Sequence, residues 1–194
     1  MWLFWLFEEN ILNAKNMKII NTGFRNLKII AHKKHSDFRG SLRETYNKKI
    51  INWDKFIFEY TTISKKNVLR GFHFQYKHQQ AKLVTVIKGK ILDWVVDLRR
   101  NSRKFGETYS IILSENNCKS LYIPKGFAHA YFSIQKMNII YYKLSDYYEP
   151  KFEDGICYND KDVNAKWPKR KLIVSKKDKL LGSFQDFKTR YKGL

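Results

Sequence analysis

Short segments rich in β-branched and aromatic residues follow one another from Lys18 to Ser145, and this pattern constrains the fold more than any other feature. Turn-like stretches separate them, such as Lys88-Gly89-Lys90 and Glu115-Asn116-Asn117. Helical periodicity occurs only near the end, roughly from Ser175 to Phe187. The pattern therefore predicts an all-β sandwich or barrel that ends in a short helical segment. The predicted strands are Leu27–His32, Phe56–Ile63, Val68–Gln75, Lys82–Gly89, Lys90–Arg99, Thr108–Leu113, Cys118–Pro124, His129–Ile134 and Asn138–Ser145.

The domain organisation predicted from the sequence is simple. A chain of 194 residues that is 43% hydrophobic suits one domain with a sizeable core. Met1–Phe7 forms an apolar run that is too short to span a bilayer and lacks the basic start of a signal peptide. Met17 then opens MKIINTG, which is typical of a first strand. We expect residues 1–16 to be an N-terminal extension and residues 17–194 to form the domain.

The net charge of +20 is compatible with three kinds of anionic partner: nucleic acid, an anionic membrane or a phosphorylated small molecule. The lysines are spread along the whole chain, and no zinc-finger or RNA-binding aromatic signature accompanies them. This distribution favours a solvated lysine-rich surface over a nucleic-acid footprint, and neither nucleic acid nor a membrane is expected as a partner. The two cysteines, Cys118 and Cys157, are far apart and form no CxxC pair, which favours a reducing, cytoplasmic setting.

Two short motifs each place a histidine in a predicted strand. The segment from Pro124 to His129 has the form PxGxxH, with a tight turn at Gly126, and resembles the second motif of the cupin proteins. The place of the first cupin motif holds His73-Phe74-Gln75, in which the usual second histidine is a glutamine. Two histidines without a third strong ligand make a poor metal site, so no metal is expected.

Longer segments give the resemblance to one family. VLRGFHFQ, QAKLVTVIKGKILDWVVDLR, IPKGFAHAYF and YYKLSDYYEP, with DFRGSLRETY before them and SKKD after them, resemble the dTDP-4-dehydrorhamnose 3,5-epimerases in order from Asp37 to Asp178. The resemblance implies a double-stranded β-helix (cupin, jelly-roll) fold and an epimerase that needs no cofactor. The implied reaction inverts C3 and C5 of a nucleotide-linked 4-keto-6-deoxy sugar. It also implies a homodimer, in which the region from Arg39 to Tyr46 reaches into the partner's site.

The family's catalytic roles fall on residues of matching type. His73 in RGFHFQ matches the general base, Asp178 in SKKD its carboxylate partner, and Tyr142 in YYKLSDYY the acid. Lys82 in QAKLV matches the residue that stabilises the enolate, and a lysine among apolar neighbours is costly unless it is used. These types suit the reaction because proton removal next to a ketone needs a base near neutral pKa, a cation at the ketone oxygen and an acid on the opposite face.

Further positions match residues that bind substrate, and two depart from the family. The matched positions are Arg39, Glu44, Arg70, His129, Tyr148, Glu153 and Lys177. The family usually has a glutamine and an asparagine on the strand before VLRG, where this chain has Phe58 and Tyr60. The predicted reaction type does not depend on these two positions. The identities of the nucleotide and of the sugar are not decided by the sequence.

Two alternatives to the 3,5-epimerase remain at this point. One is an epimerase that acts at C3 or C5 only, on another nucleotide sugar. The other is a non-catalytic cupin that binds a sugar nucleotide or an anionic polymer. The joint presence of His73, Lys82, Tyr142 and Asp178 favours an enzyme over the non-catalytic protein.

Overall fold

The computed structural model describes residues 16–194, and the first fifteen residues of the expected N-terminal extension lie outside this described part. Strands are the dominant secondary structure of the described chain, as the sequence predicts. The strands are β1 (Met17–Asn21), β2 (Lys28–His32), β3 (Lys34–Asp37), β4 (Gly40–Arg43), β5 (Phe58–Lys65), β6 (Val68–Gln75), β7 (Lys82–Lys88), β8 (Lys90–Asp97), β9 (Thr108–Ser114), β10 (Lys119–Ile123), β11 (Phe127–Ser133), β12 (Met137–Leu144), β13 (Glu153–Gly155) and β14 (Ile173–Val174).

The strands form two large sheets. One has the order β1-β2-β10-β7-β12-β5, and the other has the order β13-β6-β11-β8-β9, with β14 pairing β6 in parallel. Strands β3 and β4 form a separate two-stranded hairpin. Antiparallel pairing between strands distant in sequence, such as β10 with β2 and β11 with β6, gives the jelly-roll arrangement that the sequence predicts.

Alternation along the strands divides the side chains between the interior and the two outer faces. On β8, Ile91 and Val95 belong to the interior cluster between the sheets, whereas Trp94 and Val96 pack on the outer face. On β7, Val84 and Val86 point inward and Leu83 points outward. Since successive residues of a strand point to opposite faces, the inward positions of the remaining strands follow from the same rule.

The expected C-terminal helical segment is interrupted. Helix α1 (Lys176–Lys179) is one turn long, and helix α2 (Phe184–Tyr191) follows after Gly182, which forms an isolated parallel bridge with Ile156. Phe184 and Phe187 of α2 are buried against Phe74 and Phe105 on the outer face of the second sheet. Ser183 and Asp186 form a capping box that begins α2. No helix within residues 16–194 has the length and apolar character needed to cross a membrane.

Candidate active site

The inward faces of five strands bring together polar side chains in one region of the interior. On β6, Phe72 and Phe74 pack outward, so His73 between them points inward, and it pairs with His129 of β11. Lys82 precedes inward-facing Val84 by two residues on β7. Tyr142 of β12 is itself part of the interior cluster. The strand pattern that builds the core therefore also gathers these candidate residues.

His73 and Asp178 form a hydrogen-bonded pair across 105 residues of sequence. His73 Nε2 lies 3.0 Å from Asp178 Oδ1, and the Gly71 amide donates to Asp178 Oδ2 at 3.2 Å. Asp178 is held by the first turn of α1, where its own amide donates to Ser175 Oγ. Burial alone would raise the pKa of Asp178, but the hydrogen bond from His73 and those from Gly71 and Ser175 hold that pKa below its usual value. The carboxylate is therefore ionised at neutral pH and favours a proton on Nε2, which leaves Nδ1 of His73 as the basic nitrogen.

Gly71 is needed for this arrangement. It has φ of +110°, and a Cβ at this position would lie 2.4 Å from the His129 carbonyl oxygen. A side chain here would separate β6 from β11 and move the Gly71 amide away from Asp178. Gly126 of the PxGxxH motif also has a positive φ, of +85°, which confirms the expected tight turn before His129.

A second histidine–carboxylate pair lies beside the first. His129 Nε2 is 2.8 Å from Asp93 Oδ2, and both side chains are buried. Burial raises the pKa of Asp93, although the charge and hydrogen bond of His129 and the nearby Lys82 oppose the rise. The sequence analysis missed Asp93. A carboxylate in the apolar run ILDWVV was the available signal, because a buried carboxylate is costly unless it has a partner.

Lys82 carries the cation nearest to this second pair. Burial lowers the pKa of Lys82 to about 8, while the carboxylates of Glu153 and Asp93 act in the opposite direction. The ammonium group therefore remains largely protonated at neutral pH. A poorly solvated cation of this kind interacts strongly with a developing oxyanion.

Tyr142 approaches the interior from the sheet opposite to His73. It is almost fully buried, and its ring centroid lies 6.2 Å from that of His129. Burial, followed by the neighbouring Tyr131 and Tyr60, raises the pKa of Tyr142 well above its usual value. The phenol thus stays protonated and can donate a proton or a hydrogen bond at any physiological pH.

A charged cluster joins three of the predicted substrate-binding residues. The Tyr148 hydroxyl donates to Glu153 Oε2 at 2.8 Å, and Lys177 forms an ion pair with the same carboxylate. Burial would raise the pKa of Glu153, but Lys177 and Tyr148 hold it below its usual value. Arg70 Nε donates to Ser64 Oγ at 3.3 Å, and Arg70 has no ion pair within the described part of the chain, so its guanidinium is available to an anion.

Within residues 16–194, the two remaining predicted residues form their hydrogen bonds and ion pairs with neighbours in sequence and not with the residues of this site. Arg39 lies on the exposed turn between β3 and β4 and forms an ion pair with its neighbour Asp37, at 2.6 Å. Glu44 accepts a hydrogen bond from Asn47 Nδ2 at 2.7 Å. The hairpin that carries Arg39 has an almost fully exposed Phe38, with 97% of its surface accessible.

Strand β5 contributes two hydroxyl side chains that the sequence analysis did not assign. Thr62 Oγ1 and Ser64 Oγ both contact the Tyr131 hydroxyl, at 3.0 and 2.9 Å. Tyr60 and Phe58 continue the same face of the strand by alternation. Phe58 and Tyr60, the two aromatic residues that differ from the family pattern, thus lie beside the polar network of the site.

The two histidines of the site are each paired with a carboxylate. Each of the two histidines uses one ring nitrogen on a carboxylate, Asp178 for His73 and Asp93 for His129. Within residues 16–194, no group of three or more His, Cys, Asp and Glu side chains is arranged to hold a metal ion.

The fold and this arrangement define a class of protein: a cupin-type protein with a histidine–carboxylate pair at one sheet of a β-sandwich and a buried tyrosine on the other sheet. Comparison with known proteins agrees with that class. The profile of the family described as dTDP-4-dehydrorhamnose 3,5-epimerase matches residues 21–186. The chain is 37% identical to the dTDP-4-dehydrorhamnose 3,5-epimerase of Methanothermobacter thermautotrophicus, over 84% of this chain and 91% of that protein.

Two further comparisons give the same result. Identity to the Escherichia coli enzyme of the same name is 37%, over 85% of this chain and 93% of that protein. A crystal structure of dTDP-6-deoxy-D-glucose-3,5-epimerase from Legionella pneumophila, in complex with dTDP-4-keto-L-rhamnose, superposes with a TM-score of 0.84 at 36% identity, over 88% of this chain and 94% of that one. This chain belongs to the dTDP-4-dehydrorhamnose 3,5-epimerase family and is an epimerase.

Proposed function

We propose that this protein inverts C3 and C5 of dTDP-4-dehydro-6-deoxyglucose to give dTDP-4-dehydrorhamnose, without a cofactor. The observation that carries the proposal is the His73–Asp178 pair on one sheet facing Tyr142 on the other. Family membership supports the substrate, because the Legionella pneumophila relative was crystallised with dTDP-4-keto-L-rhamnose.

Each chemical step has a residue suited to it. Nδ1 of His73 removes the proton next to the ketone, and Asp178 stabilises the imidazolium that forms. The Lys82 ammonium stabilises the negative oxygen of the enolate. The Tyr142 phenol donates a proton to the face opposite to His73, so the carbon centre is inverted. His129, oriented by Asp93, lines the sugar between them.

The nucleotide is held outside these catalytic groups. Arg70, and Lys177 in its ion pair with Glu153, are cations that can donate charge-assisted hydrogen bonds to a diphosphate. Tyr148, fixed by its hydrogen bond to Glu153, offers a ring face on which a base stacks.

A homodimer would complete the site. The β3–β4 hairpin carries Arg39 and leads into Glu44, and neither residue reaches the site of its own chain. The hairpin also exposes Phe38 and Leu42, which a monomer would leave in water. These exposed side chains support a dimer in which the region from Arg39 to Tyr46 enters the partner's site.

The extent and location of the functional unit follow similar reasoning. The family match at residues 21–186 lies entirely within 17–194, which supports that range as the single epimerase domain. Cys118 and Cys157 are both unpaired, which supports a cytoplasmic location because exported domains commonly pair their cysteines.

Calorimetric titration with dTDP, UDP, CDP and GDP tests the nucleotide. We expect dTDP to bind at least about tenfold more tightly than the others, a difference of ~1.4 kcal/mol. Arg70→Gln should weaken all four ligands to a similar extent, because the diphosphate is common to them. Equal or tighter binding of another nucleotide would contradict the thymidine assignment, and no binding of any of the four would contradict a nucleotide-sugar substrate.

A further inference from the structure

Tyr60 and Tyr142 are direct cross-strand partners. The register of β5 and β12 places the two residues opposite each other, with both side chains on the inward face. Their ring centroids are 4.8 Å apart and their planes are inclined by only 26°. The acid therefore has another aromatic ring lying along its face.

The stacked pair continues as a row of rings that leads out of the interior. Phe58 lies 5.8 Å from Tyr60, and Tyr147 lies 6.0 Å from Phe58, between ring centroids. Tyr142 is only 3% exposed, whereas Tyr60 is 38% and Tyr147 57% exposed, with the half-buried Phe58 between these two. Tyr60 thus packs on the buried acid and is itself partly open to solvent.

The hydroxyl end of Tyr60 faces the residues assigned to the nucleotide. Burial, Tyr131, Glu153 and Tyr148 together raise the pKa of Tyr60 to about 12, and Arg70 acts in the opposite direction. Tyr60 is therefore a neutral phenol that contacts the acid through its ring and lies near the substrate-binding cluster through its hydroxyl.

We propose that Tyr60 is a positioning residue for the acid: its ring fixes the orientation of the Tyr142 phenol by stacking. This inference rests on the proposed function of Tyr142. Stacked rings restrict rotation of the side chain, and proton transfer depends steeply on the placement of the donor.

Substitutions of Tyr60 separate its ring from its hydroxyl. In deuterated water with dTDP-4-dehydro-6-deoxyglucose, proton abstraction appears as deuterium in recovered substrate, and delivery from the far face appears as epimerised product. Tyr60→Leu removes the ring and should lower the ratio of epimerised product to exchanged substrate by about tenfold. Tyr60→Phe keeps the ring and should restore the ratio of the unsubstituted protein. Tyr141→Leu is the matched control, because Tyr141 lies next to the acid on the outward face of β12 and should leave the ratio unchanged.

Two results in Tyr60→Leu would overturn the proposal. One is an unchanged ratio in Tyr60→Leu. The other is an equal loss of exchange and product, which is the effect expected if Tyr60 only supports the local structure. A ratio in Tyr60→Phe as low as in Tyr60→Leu would also contradict the role of the ring.

A measurement without substrate distinguishes this inference from the proposed function. With ¹³C at the phenol carbon of tyrosine, the Tyr142 signal can be assigned by its loss in Tyr142→Phe. Loss of the stacked ring in Tyr60→Leu should shift and broaden that signal, whereas Tyr60→Phe should leave it sharp. An unchanged signal in Tyr60→Leu would overturn the positioning role even if the protein proves active, and a protein without turnover would still give this answer.

Discussion

His73→Ala should reduce deuterium exchange at both C3 and C5 by roughly 10²- to 10⁴-fold, the range typical of a lost general base. His73 is the residue whose Nε2 is held by Asp178, so its removal leaves no basic nitrogen at that position. Mass spectrometry of substrate recovered from deuterated water measures the loss. Asp178→Asn should give a smaller reduction, because the imidazole remains but loses the charge that stabilises its protonated form.

His78→Asn is the matched control for this substitution. His78 also lies near a carboxylate, with Nδ1 3.6 Å from Asp146 Oδ2, but it is exposed and outside the site. Asparagine tolerates the positive φ of 50° at this position. The control should retain full exchange. Undiminished exchange in a folded His73→Ala protein would contradict the assignment of the base.

Tyr142→Phe should separate proton abstraction from inversion. Without the phenol, the enolate can only be reprotonated from the side on which His73 removed the proton, so deuterium exchange should persist while epimerised product falls by roughly 10²- to 10⁴-fold. NMR of the sugar distinguishes substrate that has exchanged its proton for deuterium from epimerised product. The fold should tolerate the change, because the Tyr131 hydroxyl in the neighbouring network keeps its contacts with Thr62 and Ser64.

Tyr141→Phe is the control for loss of a phenol on the same strand. Tyr141 pairs with Thr61 on β5 and with Thr85 on β7, and it lies on the face opposite to Tyr142. It should form product at the rate of the unsubstituted protein. Product formation at that rate in Tyr142→Phe would show that another group is the acid.

The principal strands could be predicted because their apolar pattern is local. Each of the nine predicted segments coincides with a strand to within a few residues, and β1 begins at Met17 as expected. The polar hairpin β3–β4 was missed because its residues are mostly exposed and show no alternation. Strands β13 and β14 are only three and two residues long, and their pairing with β6 arises from tertiary contacts.

The site was predictable only in part, for a related reason. His73, Lys82 and Tyr142 lie in strands whose inward faces the alternation specifies. Asp178 was the weakest prediction, since an aspartate in a lysine-rich tail is usually solvated, yet the first turn of α1 places it against His73. The stacking of Tyr60 on Tyr142 depends on the register between β5 and β12, which no local pattern reveals.

Incubation of the unsubstituted protein with dTDP-4-dehydro-6-deoxyglucose in deuterated water, without added cofactor, tests the central claim most directly. NMR and mass analysis then locate the deuterium and the configuration of each centre. A base and an acid on opposite walls acting through an enolate predict deuterium at both C3 and C5, with inversion at both. Deuterium at one centre only would show a single-centre epimerase, and product without solvent deuterium would contradict the enolate pathway altogether.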